Sequence, residues 1–194
     1  MKSFSKKINT RQTIRNRGFT LIETLVAITI LMISIVGPLT IASKGLTAAV
    51  TSKDQVIASY LAQDTLEYLK NVRDNDLLAD STNGWTNFFS ALSAHNCATV
   101  GSYCSIETAP SGTQGNISTC TSMTVCHLYI DTTNGYYTYA VTTNTTEFNR
   151  SFTVTRESAA GVPDAALVTV TVTWKNGTVT DQVVLNDMLF NTLR

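Results

Sequence analysis

The chain has 194 residues, 14 of them basic and 14 acidic, for a formal net charge of zero. That length accommodates one modest domain plus a membrane anchor. Lys2, Lys6, Lys7, Arg11, Arg15 and Arg17 all precede the first acid; removing these six leaves eight basic residues against 14 acidic ones, a net charge of −6, which argues against general nucleic-acid binding through phosphate neutralisation.

The basic segment runs directly into an apolar one. Phe19 to Ile41 is a 23-residue stretch whose only charge is Glu23. At helical rise it reaches about 35 Å, enough for a hydrocarbon core of about 30 Å. A secretory signal peptide has a shorter apolar core and places its small cleavage residue after that core. Here the small residue, Gly18, stands before the core, so cutting after it discards residues 1–18 and keeps the helix. The basic leader stays on the cytoplasmic side and sends the C-terminal part outward. Gly37-Pro38 falls late in the run. Proline removes one helix hydrogen bond and crowds the preceding turn. A kink is expected there in preference to a helix end, because helix-compatible sequence resumes at once. A carboxylate in a membrane helix is costly and is usually partnered or functional. Glu23 sits one turn from the new N-terminus, which favours a defined partner over an interfacial residue that merely snorkels.

This order of parts resembles the type IV pilin-like family, which includes pilins and the pseudopilins of type II secretion. The family's motif is Gly, then Phe, then Glu five residues after the Gly, supplied here by Gly18, Phe19 and Glu23. The resemblance implies a prepilin peptidase that cuts after Gly18 and methylates the amine of Phe19. It also implies that Glu23 pairs with the N-terminal amine of a neighbouring subunit, cancelling two charges and fixing the axial register between helices. The motif covers roughly Met1 to Ile41; the stretches Arg150–Phe152 and Val168–Trp174 resemble minor pilins more loosely.

From residue 42 to 76 the pattern is that of an amphipathic continuation of the helix. Val50, Ile57, Leu61, Tyr68 and Val72 form one stripe at 100° per residue. Gln55, Gln63, Glu67, Lys70 and Arg73 lie opposite, while Asp54 and Asp64 blur the flanks. Such a stripe is a docking face for the chain's own sheet, and Asp74-Asn75-Asp76 is expected to end the helix. Residues 77–127 form a connecting region poor in periodicity. It holds Cys97, Cys104, Cys120 and Cys126, with no Cys-x-x-Cys pair to support zinc. Four cysteines in an exported, loop-rich segment predict two disulfides. Three pairings are possible; short closing loops favour Cys97–Cys104 and Cys120–Cys126. Residues 128–194 are β-rich. Leu128–Ile130 and Tyr136–Thr142 flank a loop ending in Asn134-Gly135, a hairpin signal. Phe148–Arg156 is another strand, with Phe152 and Val154 on one face. Val168, Val170, Val172 and Trp174 alternate with threonines as in a half-buried antiparallel strand. Lys175-Asn176-Gly177 then turns the chain into a return strand over Thr178–Asn186. The expected fold class is α+β: a long N-terminal membrane-spanning helix packed on a C-terminal antiparallel sheet.

No catalytic set emerges, so the chain is not expected to be an enzyme and no cofactor or metal site is assigned. His95 and His127 are near cysteines, but exported cysteines are more often bonded than nucleophilic. Asp74, Asp76 and Asp80 lack the acid-and-Gly spacing of a calcium loop. Asn-x-Ser/Thr sites at Asn116, Asn144, Asn149 and Asn176 carry no meaning without a glycosylating host. The expected function is structural: a minor pilin or pseudopilin drawn from the inner membrane into a type IV pilus or type II secretion-type filament. The expected partners are prepilin peptidase, other pilin subunits, the inner-membrane assembly machinery and the membrane itself. The subunit would be single-pass in the inner membrane with its C-terminal domain outside, then part of an extracellular filament or periplasmic pseudopilus. A major pilin, or a membrane-tethered adhesin or DNA-uptake tip protein, is the alternative.

Overall fold

The computed structural model describes residues 18–99, 101–122, 125–157 and 164–191. Apart from Gly18, the expected leader lies outside the described residues. Helix α1 spans Leu21–Ala79 and carries Pro38 inside it. The helix passes through Gly37 and Pro38 without ending. The chain divides into two compact units, residues 1–48 and 49–194.

In the first unit every described residue is exposed, including Phe19 at 79% and Leu21 at 82%. The hydroxyls here turn back on the helix. Thr24, Thr29, Ser34 and Thr40 each donate to a carbonyl three or four residues earlier, at 2.8 Å. That leaves an apolar outer surface over this stretch with these four hydroxyls satisfied within the helix, as a lipid environment requires.

In the second unit the helix buries Ala58, Leu61, Ala62, Thr65, Leu66 and Leu69. This face is rotated from the sequence-derived stripe: Leu61 is buried, but Ile57, Tyr68 and Val72 only flank the core and Val50 is exposed. The small residues Ala58, Ala62 and Thr65 are buried on this face, and they carry a weak hydrophobic signal. The helix also runs past Asp74-Asn75-Asp76 to Ala79. Burial of Leu77 holds that last turn. The stop comes at Asp80, whose Oδ1 accepts the backbone N–H groups of Thr82 and Asn83 at 3.0 Å, a side-chain turn that competes with helix.

Helix α2, Gly84–Ala94, buries Trp85, Phe88, Phe89 and Leu92. The connecting region is therefore more ordered than its sequence reading implied: it also contains strands β1 (Tyr103–Ile106) and β2 (Ile117–Cys120). Strands β3 (His127–Asp131), β4 (Tyr136–Thr138), β5 (Thr145–Glu157), β6 (Ala165–Asn176) and β7 (Val179–Phe190) complete one seven-stranded sheet. All the strand pairs are antiparallel. The order is β2-β1-β5-β3-β4, with β6 also on β5 and β7 on β6.

Both expected hairpins form. β3 pairs with β4 across a turn where Gly135 takes φ +77°. β6 pairs with β7 across Gly177-Thr178, with φ +65° at Gly177, the geometry that two-residue hairpin loops require. β4 stops at Thr138, short of Thr142. The Tyr139 and Ala140 N–H groups are taken by Glu107 and Thr138 side chains instead of a strand partner. One sheet face carries Phe148, Phe152, Val154, Val168, Val170, Val172 and Trp174 into the core with the helix residues. β6 is more than half-buried, because Thr171 and Thr173 on its other face are covered as well. They stand between Ser151 and Val184, and between Asn149 and Gln182, on the neighbouring strands.

Candidate functional site

Gly18 and Phe19 lie just ahead of α1 and are exposed. With no Cβ at Gly18 and no neighbour within 4 Å of where one would be, the Gly18–Phe19 peptide is open to a peptidase. Thr20 caps the helix: its Oγ1 accepts the Glu23 N–H at 3.3 Å, and its carbonyl accepts the N–H groups of Glu23 and Thr24 at 3.1 and 3.2 Å. Thr20 and Glu23 thus occupy the Ncap and N3 positions of a Thr-x-x-Glu sequence, with the Thr20 side-chain cap made. Glu23 also places its negative charge in the first turn, where the helix dipole favours it. The spacing was present in the sequence beside the Gly–Phe–Glu pattern. It gives Glu23 a local role in addition to any partner across subunits.

The four cysteines come together as Cys97–Cys104 and Cys120–Cys126, with Cα atoms 5.8 and 5.7 Å apart. Cys97 and Cys104 are fully buried in the main core cluster. The first bridge ties the end of α2 to β1, and β1 hydrogen-bonds to β5 at Cys104–Phe152. The second closes the segment between β2 and β3. His127 has its Nδ1 3.3 Å from Asn149 Oδ1 and its ring edge-on to Tyr129. With its neighbour Cys126 bonded, it faces no thiolate. Asp74 pairs with Arg73, while Asp80 serves the turn after α1.

The structure adds a polar cluster that the sequence reading did not assemble. Arg150, on the core face of β5, is fully buried. Its guanidinium donates to Asp64 Oδ2 at 2.8 Å, to the Leu61 carbonyl at 3.3 Å and to the Ile106 carbonyl at 3.4 Å. It also donates to Thr108 Oγ1 and the Tyr139 hydroxyl, both at 3.1 Å. Tyr139 returns a 2.7 Å hydrogen bond to the Arg150 carbonyl, and its ring lies under the guanidinium. Burial pushes the Tyr139 pKa up, so the hydroxyl stays a donor. Next to this set, buried Glu107 accepts from Thr138 Oγ1 at 2.7 Å, Tyr139 N–H at 2.8 Å and Ala109 N–H at 3.0 Å. Each donor and acceptor is matched, the condition under which buried charge is tolerated. The sequence signal was a charged residue at the core-facing position of β5, two residues before Phe152, and a carboxylate at the flank of a helical stripe.

A long apolar helix leading into an antiparallel sheet, with its acid in the first turn, is an α+β arrangement of pilin-like type. Residues 14–37 match the family model for the prokaryotic N-terminal methylation motif. The chain thus carries the prepilin cleavage and methylation motif of type IV pilin-like proteins. No curated protein and no solved structure matches it. The motif implies processing by prepilin peptidase and assembly with other pilins. With the apolar helix, it indicates membrane anchoring with a C-terminal domain, and a structural subunit in place of an enzyme.

Proposed function

We propose that the chain is a minor pilin or pseudopilin. It is cut after Gly18, N-methylated on Phe19, held in the inner membrane by residues 19–41 and drawn by the inner-membrane assembly machinery into a type IV pilus or type II secretion-type filament. The observation that carries this reading is an apolar helix of which residues 21–50 are exposed throughout the isolated chain, headed by the matched motif. So much uncovered apolar surface needs lipid first and other helices afterwards. A disulfide-bearing segment over residues 77–127, with its own helix α2 and strands β1 and β2, favours a minor subunit. Cysteines oxidised in pairs fit a domain outside the cytoplasm.

Glu23 separates the assembly reading from a merely local one. Glu23→Gln keeps the size and polarity of the side chain and removes only the charge, whereas Glu23→Ala removes both; the Thr20 cap, made to the backbone N–H of residue 23, remains in each. If the charge mates with the Phe19 amine of a neighbour, both variants insert in the membrane, and both are depleted from sheared filaments at equal membrane abundance. If Glu23→Gln assembles like the wild type, the charge of Glu23 plays no part in assembly and acts only on the helix dipole. Intact mass of membrane-extracted protein tests processing: residues 1–18 still attached would refute cleavage after Gly18. Even labelling along filaments would show a major subunit instead of a minor one.

A further inference from the structure

We propose that the cleft between the Ile57–Asp64 turns of α1, the Thr108–Pro110 loop and β4 binds an organic cation: an ammonium or guanidinium group on an apolar stem. The cleft has a volume of about 410 Å³, is mostly apolar and is lined by Ile57, Tyr60, Leu61, Asp64, Tyr136 and Tyr137 among others. That size and lining suit a small ligand or one long side chain, with a few polar groups to orient it. Tyr60, Tyr136 and Tyr137 contribute to its lining, and the face of a tyrosine ring attracts cations. Tyr60 is 68% exposed, an apolar ring left in solvent by the fold of its own chain.

The surrounding charge selects the sign of the ligand. Asp64 stands in the wall with its side chain 52% exposed, while its partner Arg150 is wholly buried behind it. The exposed side of that pair is therefore the carboxylate. Tyr137 has its pKa raised by burial and then by Asp54. For Tyr136 the causes are burial and then Asp131, with Glu107 also contributing. Lys53, one turn before Ile57, is exposed and forms no ion pair among the described residues. Among the described residues lining the cleft, the one charged group is the Asp64 carboxylate. A neutral apolar ligand would use the rings but leave this field unmatched, and an anion would oppose it.

The same chemistry can arrive as a free amine or as a lysine or arginine side chain of another polypeptide. The test uses the full-length chain in nanodiscs and isothermal titration with Nα-acetyl-lysine methylamide. Its Nε-acetylated form, with the same stem and no charge, is the control. The charged probe should bind saturably and the acetylated form at least about tenfold more weakly, with the difference shrinking as salt rises. Tyr60→Ala, at an exposed position, should weaken binding by roughly 2- to 30-fold, the range of one cation–π contact. Saturable binding of the lone lysine derivative identifies a diffusible amine. Binding only of a lysine-containing hexapeptide identifies a side chain on a partner; either result sustains the proposal. Equal affinity for both forms, unchanged affinity in Tyr60→Ala, or no binding of either the derivative or the peptide overturns it.

Discussion

Replacing Asp64 by Ala should cost far more stability than its half-exposed position implies. An exposed ion pair contributes at most about 1 kcal/mol. Among the described residues, however, Asp64 is the sole carboxylate on a guanidinium whose side chain is 0% exposed. After Asp64→Ala, Arg150 keeps only the Leu61 and Ile106 carbonyls and the Thr108 and Tyr139 hydroxyls, none of which carries a compensating charge. Stranding one member of a buried pair costs about 3–5 kcal/mol. Water can reach the vacated side, so the lower end, about 3 kcal/mol, is expected, or a fall in Tm of roughly 6–12 °C for a domain of this size. The assay is denaturant unfolding of the full-length oxidised chain followed by near-ultraviolet circular dichroism. Asp64→Ala is compared with Arg150→Met and with the double variant. Removing both charges removes the stranded cation, so the double variant should be less destabilised than the sum of the two singles, with a coupling of about 1–3 kcal/mol. A cost for Asp64→Ala below about 1 kcal/mol, or strictly additive singles, would refute the claim that burial of Arg150 sets the energetics.

At Gly84 an added Cβ would collide with the Asp76 carbonyl and the Leu77 backbone, so Gly84→Ala should destabilise by about 1–3 kcal/mol through forced backbone movement, read as a lower denaturation midpoint. The Lys70–Asp187 pair, 2.8 Å apart, ties α1 to β7. Its hydrogen bond lowers the Asp187 pKa and raises that of Lys70. The Asp187 contribution is therefore complete above the unfolded carboxylate value of about 3.9 and lost as pH falls through its lower folded value. The Lys70 contribution is complete below about 10.4 and lost as pH rises past its higher folded value. Both side chains are partly exposed, so the Asp187→Asn variant should differ from wild type by less than about 1 kcal/mol at pH 7, and the difference should shrink as pH falls below the unfolded carboxylate value of about 3.9; a gap that stays constant on acidification would contradict this. Removing the second bridge as Cys120→Ala/Cys126→Ala should cost about 2 kcal/mol, the chain-entropy figure for so short a loop, with the sheet retained by far-ultraviolet circular dichroism.

The α+β architecture was legible because its strongest elements carry strong periodicity. Val168, Val170, Val172 and Trp174 alternate without interruption, and the structure buries all four. Asn134-Gly135 and Asn176-Gly177 announce turns by chemistry that few other residues supply. What escaped was weaker signal or signal shared with loops. Trp85, Phe88, Phe89 and Leu92 have the spacing of one helix face, but they sit in 11 residues flanked by Ser, Thr and Asn. Strands β1 and β2 are four residues each, too short for alternation to declare itself. The helix face was misplaced by about one residue because Ala58, Ala62 and Thr65 form the contact, and small side chains add little to a hydrophobic count. The Gly18–Phe19–Glu23 motif was legible because it combines a leader, an open junction, an acid and a long apolar run. The Arg150 cluster was not, since its members come from positions 64, 107, 108, 139 and 150 and are joined only by the folded topology.

That cluster has a consequence for how α1 is held on the sheet. Small residues at 58, 62 and 65 make a smooth helix face, and smooth apolar faces fix distance better than register. Sliding α1 by one turn, about 5.4 Å, would keep much of the apolar contact but carry Asp64 and the Leu61 carbonyl out of reach of Arg150. The penalty for stranding that cation falls on every register except the native one. We therefore expect the charge-free Asp64→Leu/Arg150→Met variant to keep much of its stability while losing uniqueness, because ion pairs replaced by apolar residues are often tolerated energetically. Backbone amide spectra of the two forms decide it. Doubled or broadened signals confined to residues 55–79 and to β5 would show that the pair selects the register. A single sharp set equal to that of the wild type would show that packing and the remaining Lys70–Asp187 tie suffice without it.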